Sequence, residues 1–325
     1  MSVLKKLLKN PISLAGIIML AMFLIIAVAA PWFAPVPERS RDPYLVPRDG
    51  FSTTPNPPSE EHPFGTTEGQ YDIYYGVVWG ARTAFRIGVV ITFITTTIGI
   101  IVGSLSGFYG GWIDELLMRI TEIFQAFPFL LAAITMTSVL QTIYGRGEAG
   151  ALIFMAKIVA FLTFGQSFAE DLDPVQLQIL TGMLAIIFFG WMTEARVMRG
   201  NILSVKEFEY ALAAKTIGAS DMRILFRHLL PNAVFPILVI SSMNIGSYVL
   251  TFAALSFLGL GAQRGYADWG QMISFARNWV PSLVEYWYIV VFPGMAIVLF
   301  VLAWNLVGDA LRDILDPRLR GSGSV

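Results

Sequence analysis

Six stretches of this chain carry no Asp, Glu, Lys, Arg or His: 11–37, 87–113, 123–145, 174–193, 229–263 and 286–308. A helix needs about 20 apolar residues to cross the hydrocarbon layer of a bilayer, and each stretch is that long. Composition agrees: 55% of residues are hydrophobic and 14% charged, against about 25% charged in a soluble domain. So little polar surface cannot clothe a water-facing globule, and lipid must be the solvent for much of the chain. Within lipid the backbone satisfies its own hydrogen bonds, so the six segments are predicted to be helices. Glycine patches such as "GIIVGSLSGFYGG" are expected where two helices come close.

The first stretch follows Lys5, Lys6 and Lys9 and ends near "AVAAP", which has the look of a secretory signal. Its length and Pro31 favour an uncleaved first span. Three segments are basic: the N-terminus, 196–227, and the tail with Arg312, Arg318 and Arg320. The positive-inside rule puts all three in the cytoplasm, so an even number of spans separates the first two. That parity excludes 151–174 as a seventh span, and 145–176 is read as an external hairpin, in the interface or packed on the bundle. The predicted organisation is a cytoplasmic N-terminus and first span (1–33), an external proline-rich loop (34–82), a membrane core (83–308) with the external insertion 145–176 and a cytoplasmic loop 196–232, and a cytoplasmic tail (309–325). The terminal "GSGSV" carries no weight in this reading. Phe127-Pro128 is expected to kink the third span, with a pore-lining role left open. Glu194 and Arg196 are read as interfacial anchors or a pair, Arg264 and Asp268 as solvated loop charges.

The cytoplasmic loop contains "EYALAAKTIGASDMRILFRHLLPNA" (209–233), a polar element between two apolar spans. Ser204-Val-Lys-Glu207 reads as a capping box that starts a helix near 205. Ala211, Ala214 and Ile217 fall on one face. Gly218 suits a left-handed helix end, Ser220 or Asp221 a second cap, and the second helix runs to Pro231. An alanine face buries little apolar area and anchors poorly in lipid, but small side chains fit a narrow protein groove.

Glu209, Ala213, Ala214, Gly218, Leu230 and Pro231 occur in the order of the EAA loop, and the chain resembles the permeases of binding-protein-dependent ABC importers, dipeptide/oligopeptide/nickel branch, second permease subunit. Further similar blocks are "HPFGTTEG" (62–69), "FYGGWIDELLMRITEIFQAFPFLL" (108–131), "LSFLGLGAQ" (255–263), "DWGQMI" (268–273) and "FPGMAIVLFVLAWNLVGDALRDILDPRL" (292–319). The resemblance implies an all-α membrane protein, six transmembrane helices of the type I importer permease fold, in a bacterial or archaeal plasma membrane. It implies transport of di- or oligopeptides, with nickel or oligosaccharides as alternatives. The implied partners are a homologous permease, two cytoplasmic ATPases and an external binding protein, besides the lipid bilayer. Glu207, Glu209, Ala213, Ala214, Lys215, Gly218, Ala219 and Asp221 would form the ATPase-coupling element, with Leu230 and Pro231 structural. Two departures stand out. The family's Asp-Glu-Leu-Gly-Arg-Asp is replaced by "TEGQYDI", and 145–176 has no counterpart.

Other chemistries find little footing. There is no G-x-x-x-x-G-K-[ST] for nucleotide and no H-E-x-x-H for zinc, and there are no cysteines. No cofactor, metal or nucleic-acid partner is expected, and ATP hydrolysis belongs to partner chains. Charge-poor spans disfavour an ion-coupled carrier. A membrane scaffold or assembly protein is the competing class, an intramembrane enzyme a third.

Overall fold

The structure is a computed structural model that describes residues 10–38, 40, 42–146, 150–165, 167 and 172–315. The basic residues at 5, 6, 9, 318 and 320, and the terminal "GSGSV", lie outside the described residues. Besides shorter helical turns, the helices among the described residues are α1 (Pro11–Val28), α2 (Ile73–Tyr109), α3 (Gly111–Gln125), α4 (Phe129–Gly145), α5 (Gly150–Phe164), α6 (Pro174–Val205), α7 (Glu209–Thr216), α8 (Phe235–Phe257), α9 (Trp269–Ser274) and α10 (Tyr288–Leu315). Five of them (α1, α2, α6, α8, α10) are long and apolar enough to cross a membrane, and α3 with α4 makes a sixth candidate span broken by 89°. The six expected spans therefore all find a helix.

α2 and α6 form the spine. At 37 residues and 1.5 Å rise, α2 is about 55 Å long, well beyond a hydrocarbon layer of about 30 Å. It begins at Ile73, ten residues inside what the sequence reading assigned to the loop 34–82. Asp72 caps it, its carboxylate accepting from the Tyr75 amide at 2.8 Å. Val77, Val78 and Trp79 then continue the helix beneath the loop instead of lying in it. Gly99, Gly103 and Gly107 line the contact with α6. A Cβ on Gly103 would lie 2.3 Å from the Ala195 carbonyl oxygen, and one on Gly99 2.5 Å from the Glu194 Cβ. The small-residue patch thus does what its spacing predicts: it brings two backbones together.

Phe127-Pro128 is a full break, not a kink. Proline cannot donate its amide and biases the preceding residue away from helix. α3 ends at Gln125, and α4 restarts at Phe129 with only 17 residues.

The insertion supplies α5. Ala156, Val159, Ala160 and Thr163 are buried, the first three in the core cluster that also holds Ile87 of α2 and Met183 of α6. Phe154, Met155 and Phe161 remain exposed. Of the two placements left open, the helix takes the packed one.

One end of the bundle is closed by a cap built from 34–72 and 258–287. The Val46 amide donates to the Gly265 carbonyl at 2.8 Å and that of Ala267 to Tyr44 at 2.7 Å. Tyr44 stacks on Tyr266 and meets Trp79 edge-on. Arg86 lies 4.7 Å over the Tyr44 ring. Asp268 is not a solvated charge: it is buried and caps α9, accepting from the Gln271 amide at 2.8 Å. Burial pushes its carboxyl up to about 6. Arg264 is the exposed partner of Glu68 at 2.9 Å. Asn278 donates to the same carboxylate, and chiefly this bond, with that of Arg264, holds Glu68 below its usual range.

The "TEGQYDI" departure is ordered here. Gln70 has φ 64°, the one non-glycine at positive φ among the described residues. Its buried amide accepts from Asn56 at 2.7 Å and donates to the Thr54 carbonyl at 2.8 Å, pinning the loop to the start of α2.

Candidate functional site

At the opposite end, α6 runs on to Val205 before the chain turns. The Ser204–Glu207 capping box does not form. Ser204 is still inside α6 and its hydroxyl donates to the Gly200 carbonyl. α7 starts at Glu209, after Phe208, with no side-chain cap. Gly218 closes α7 as expected, at φ 81°. Its amide donates to Lys215 and the Ala219 amide to Ala214, at 3.0 and 3.1 Å. A short helical turn at Asp221–Arg223 leads into a π-helical turn, Ile224–Leu229. Ser220 takes the cap position there, again with no side-chain bond. The wide turn has a local cause. Pro231 has no amide hydrogen and its ring crowds the carbonyl four residues back, so the Leu230 amide reaches the Leu225 carbonyl, five back. Asn232 donates to the His228 carbonyl at 2.7 Å.

Ala211 and Ala214 are buried on the chain's own Met198, Ile202, Leu225 and Leu229. They do not line an outward groove face, and Ile217, expected on their side, is 84% exposed. The small side chains let α7 sit close against its own bundle. What points outward is Glu209, Leu212, Ala213, Lys215, Ile217 and Gly218, then Asp221 and Met222. Glu207 is exposed beside them, Ala219 is half-buried, and Leu230 and Pro231 sit where the loop rejoins α8. Among the described residues no ion pair holds Glu209, Lys215 or Asp221. The outer face is an apolar knob ringed by free charges.

The knob's base is rigid. Arg199 of α6 grips Asp114 of α3 through two bonds, Nε and Nη2 each at 2.5 Å. The Ser106 hydroxyl donates to the same carboxylate. Lys206 donates to the Gly107 carbonyl at 3.1 Å, and Asn201 to Ala233 at 3.1 Å. Bidentate Arg–carboxylate pairs fix orientation as well as adding energy. Sequence reasoning missed Asp114, Arg199 and Lys206. The only signal was their place inside "WIDELL" and "EARVMRGNILSVK".

A second feature lies at the break in the third span. A cavity of about 520 Å³ opens there, lined by Phe124, Phe127, Phe129 and Phe189 and by polar residues of α6 and α8. Phe127 is exposed to it, which favours the lining role over simple packing. Glu194 lies behind the wall. It is fully buried, and Asn244 donates to it at 2.6 Å. It is neither an interfacial anchor nor the partner of Arg196, which lies two residues on and points to the exposed side. Among the described residues no cluster of His, Cys, Asp or Glu could hold a metal.

Five apolar spans with a broken sixth candidate, a glycine-cornered loop and a cavity at the break fit a membrane permease. The chain belongs to the family described as binding-protein-dependent transport system inner membrane component, which matches residues 99–321. Residues 2–48 match the N-terminal transmembrane domain of oligopeptide transport permease C. The chain is 34% identical over 316 residues to a dipeptide transport system permease protein of Alkalihalophilus pseudofirmus, covering 97% of this chain and 89% of that protein. It is 34% identical to an oligopeptide transport system permease protein of Bacillus subtilis, covering 96% and 87%. It is 35% identical to a glutathione transport system permease protein of Escherichia coli, covering 96% and 88%. These relatives are bacterial, and the archaeal alternative for its membrane finds no support among them.

Proposed function

We propose that this chain is the second permease subunit of an ATP-driven importer of di- or oligopeptides. It would pair with a homologous permease to enclose the path, take cargo from an external binding protein, and receive the motion of two ATPases through α7. The observation that carries the coupling role is the exposed knob on a fixed base. Leu212, Ile217 and Met222 are open to solvent, yet α7 packs through Ala211 and Ala214 on Met198 and Ile202 of α6 and on Leu225 and Leu229 of the turn that leads to α8. An exposed apolar patch rimmed by charge marks a protein contact. A helix packed on one span and on the turn leading into the next can pass a push into them as a two-state rocking of the bundle. The peptide assignment rests on the relatives' cargo and on an aromatic cavity of peptide size. Nickel would need ligands that the described residues do not gather. Oligosaccharides remain an alternative cargo.

On this reading the 205–233 end faces the cytoplasm and the cap faces outward. Co-purification from detergent is expected to bring an ATPase with Walker motifs and a second permease. Uptake of labelled peptide into proteoliposomes by the reconstituted complex, driven by ATP and dependent on the binding protein, is the decisive test. A chain that purifies with membrane proteins but no ATPase would favour the scaffold reading.

A further inference from the structure

Among the described residues two carboxylates are buried, Asp268 in the cap and Glu194 within α6. A buried ionisable group inside a membrane span is costly and marks function more often than packing. Glu194 Oε1 accepts from the Asn244 amide nitrogen at 2.6 Å and lies 3.2 Å from the Tyr248 hydroxyl. Glu194 Oε2 has no hydrogen-bond partner among the described residues. Asn244 and Tyr248 both line the cavity at the broken span.

These bonds set the cavity's polarity. With its nitrogen committed to Glu194, Asn244 turns its carbonyl oxygen away from that carboxylate. The Tyr248 hydroxyl has one proton, shared between Glu194 and the Gly190 carbonyl at 3.1 Å, so its lone pairs are what it can still offer. The Thr251 hydroxyl donates to the Ser247 carbonyl at 2.9 Å, and Gln125 donates its amide to Thr193 at 3.3 Å. The Ser247 hydroxyl likewise donates to the Met243 carbonyl, so these three hydroxyls and one N–H of each amide are directed into the protein; one N–H of Asn244 and one of Gln125 remain, and free acceptor lone pairs outnumber them. No Lys, Arg or His lines the space.

We propose that this cavity is a contact site for the peptide in transit, that its wall takes hydrogen-bond donors (the backbone N–H groups and terminal ammonium of a peptide), and that Glu194 is the positioning residue that fixes this polarity. It rests on the peptide-permease reading above. The aromatic side of the cavity suits the same ligand, because ring faces attract an ammonium.

The complete complex in proteoliposomes tests it with radiolabelled trialanine. A photoreactive benzoylphenylalanine replacing Ser247, which lines the cavity, is expected to form an adduct with trialanine during ATP-driven uptake. The same probe at Val298, exposed on α10, is expected to form none. Second, uptake of trialanine and of N-acetyl-trialanine is compared in wild type and in Glu194→Leu. The binding protein's own preference is common to both and cancels. The preference for the free amine is expected to fall about ten-fold in Glu194→Leu, the effect of one lost hydrogen bond to a charged group. Glu194→Gln keeps an oxygen for Asn244 and is expected to restore most of it; a purely structural loss in Glu194→Leu would lower uptake of both peptides alike and leave the preference unchanged. Asn244→Leu, which leaves Glu194 in place, is expected to lose the preference as Glu194→Leu does. Normal uptake with no adduct at 247, or an unchanged preference in both leucine variants, overturns the proposal. A wild-type complex that transports no peptide overturns instead the reading beneath it.

Discussion

The two ends of this molecule are built on opposite plans. The cap is tied to itself: its loops exchange backbone bonds across more than two hundred residues of sequence, Tyr44 stacks on Tyr266, Glu68 pairs with Arg264, and Asp268 is buried. The 205–233 end is closed only on its inner side. There Ala211, Ala214 and Leu225 are buried, while Leu212, Ile217, Phe226 and the charges around them face out without partners. The difference is one of purpose. Bonds between distant loops hold the spans in register, whereas an exposed apolar patch rimmed by charge on a braced base is what the proposed ATPase contact requires.

The largest expected effect breaks the cap. A Cβ on Gly270 would lie 2.0 Å from the Ala253 carbonyl oxygen and 2.4 Å from its Cα. Backbone on both sides cannot give way. Gly270→Val is expected to abolish a stable chain, read as loss of membrane-inserted protein on size exclusion. Normal yield would show that the cap is looser than described.

Gly218→Val strikes the other end and should separate folding from function. Nothing lies within 4 Å of the position a Cβ would take, so the cost comes from φ 81°, about 1–3 kcal/mol. The variant is expected to insert and pair with its partner permease, yet to lose uptake, because the following turn leaves its docking angle. Wild-type uptake and stimulated hydrolysis would reduce the loop to a connector.

This contrast was only half legible in the sequence. The spans were, because freedom from charge over twenty residues has one physical solution in lipid. So was Gly218, since only glycine sits comfortably at that backbone angle. The cap was not: proline-rich 34–72 reads as extended chain, and nothing local reveals that Tyr44 will stack on Tyr266. The direction of the alanine face was misjudged for the same reason. Periodicity shows that residues share a face but not what the face meets, and Ala211 and Ala214 meet the chain's own α6. Glu194 was placed at a helix end because the charge-free window stopped at 193, while the helix itself runs to 205.

The buried Asp268 gives the cap a pH signature. Its carboxyl titrates at about 6 in the fold against an ordinary 3.8, so between those values the folded state holds more protons than the unfolded one. Stability then falls as pH rises through this window, by roughly 3 kcal/mol in total, and stays lower above it. Asp268→Asn keeps the helix cap and removes the slope. The thermal midpoint of the purified complex, compared between the two proteins from about pH 4 to 8, is expected to diverge in favour of asparagine as pH rises. A constant difference would contradict the buried state. Glu68 acts in the opposite sense, favouring the fold above its lowered pKa and losing that contribution as acid protonates it, but it is common to both proteins.

Glu209→Ala is the mildest change. It removes one free charge from the knob, with a loss of roughly 1.5–3 kcal/mol of docking energy where the contact is buried in the complex. Weaker retention of the ATPase in detergent, with uptake reduced but present, is the expected outcome. Unchanged retention would place the docking contact elsewhere on the knob.

The absence of cysteine allows one measurement to test both ends at once. A cysteine replacing Ile217 on the knob, or Val284 on the cap, each 84% or more exposed, is treated with a membrane-impermeant maleimide on intact cells. Each is also treated with a short bifunctional cross-linker on the purified complex. The account predicts that the residue-284 cysteine is labelled from outside and that the residue-217 cysteine is not, forming instead a cross-link to the ATPase. External labelling at 217, or an ATPase cross-link at 284, would contradict it.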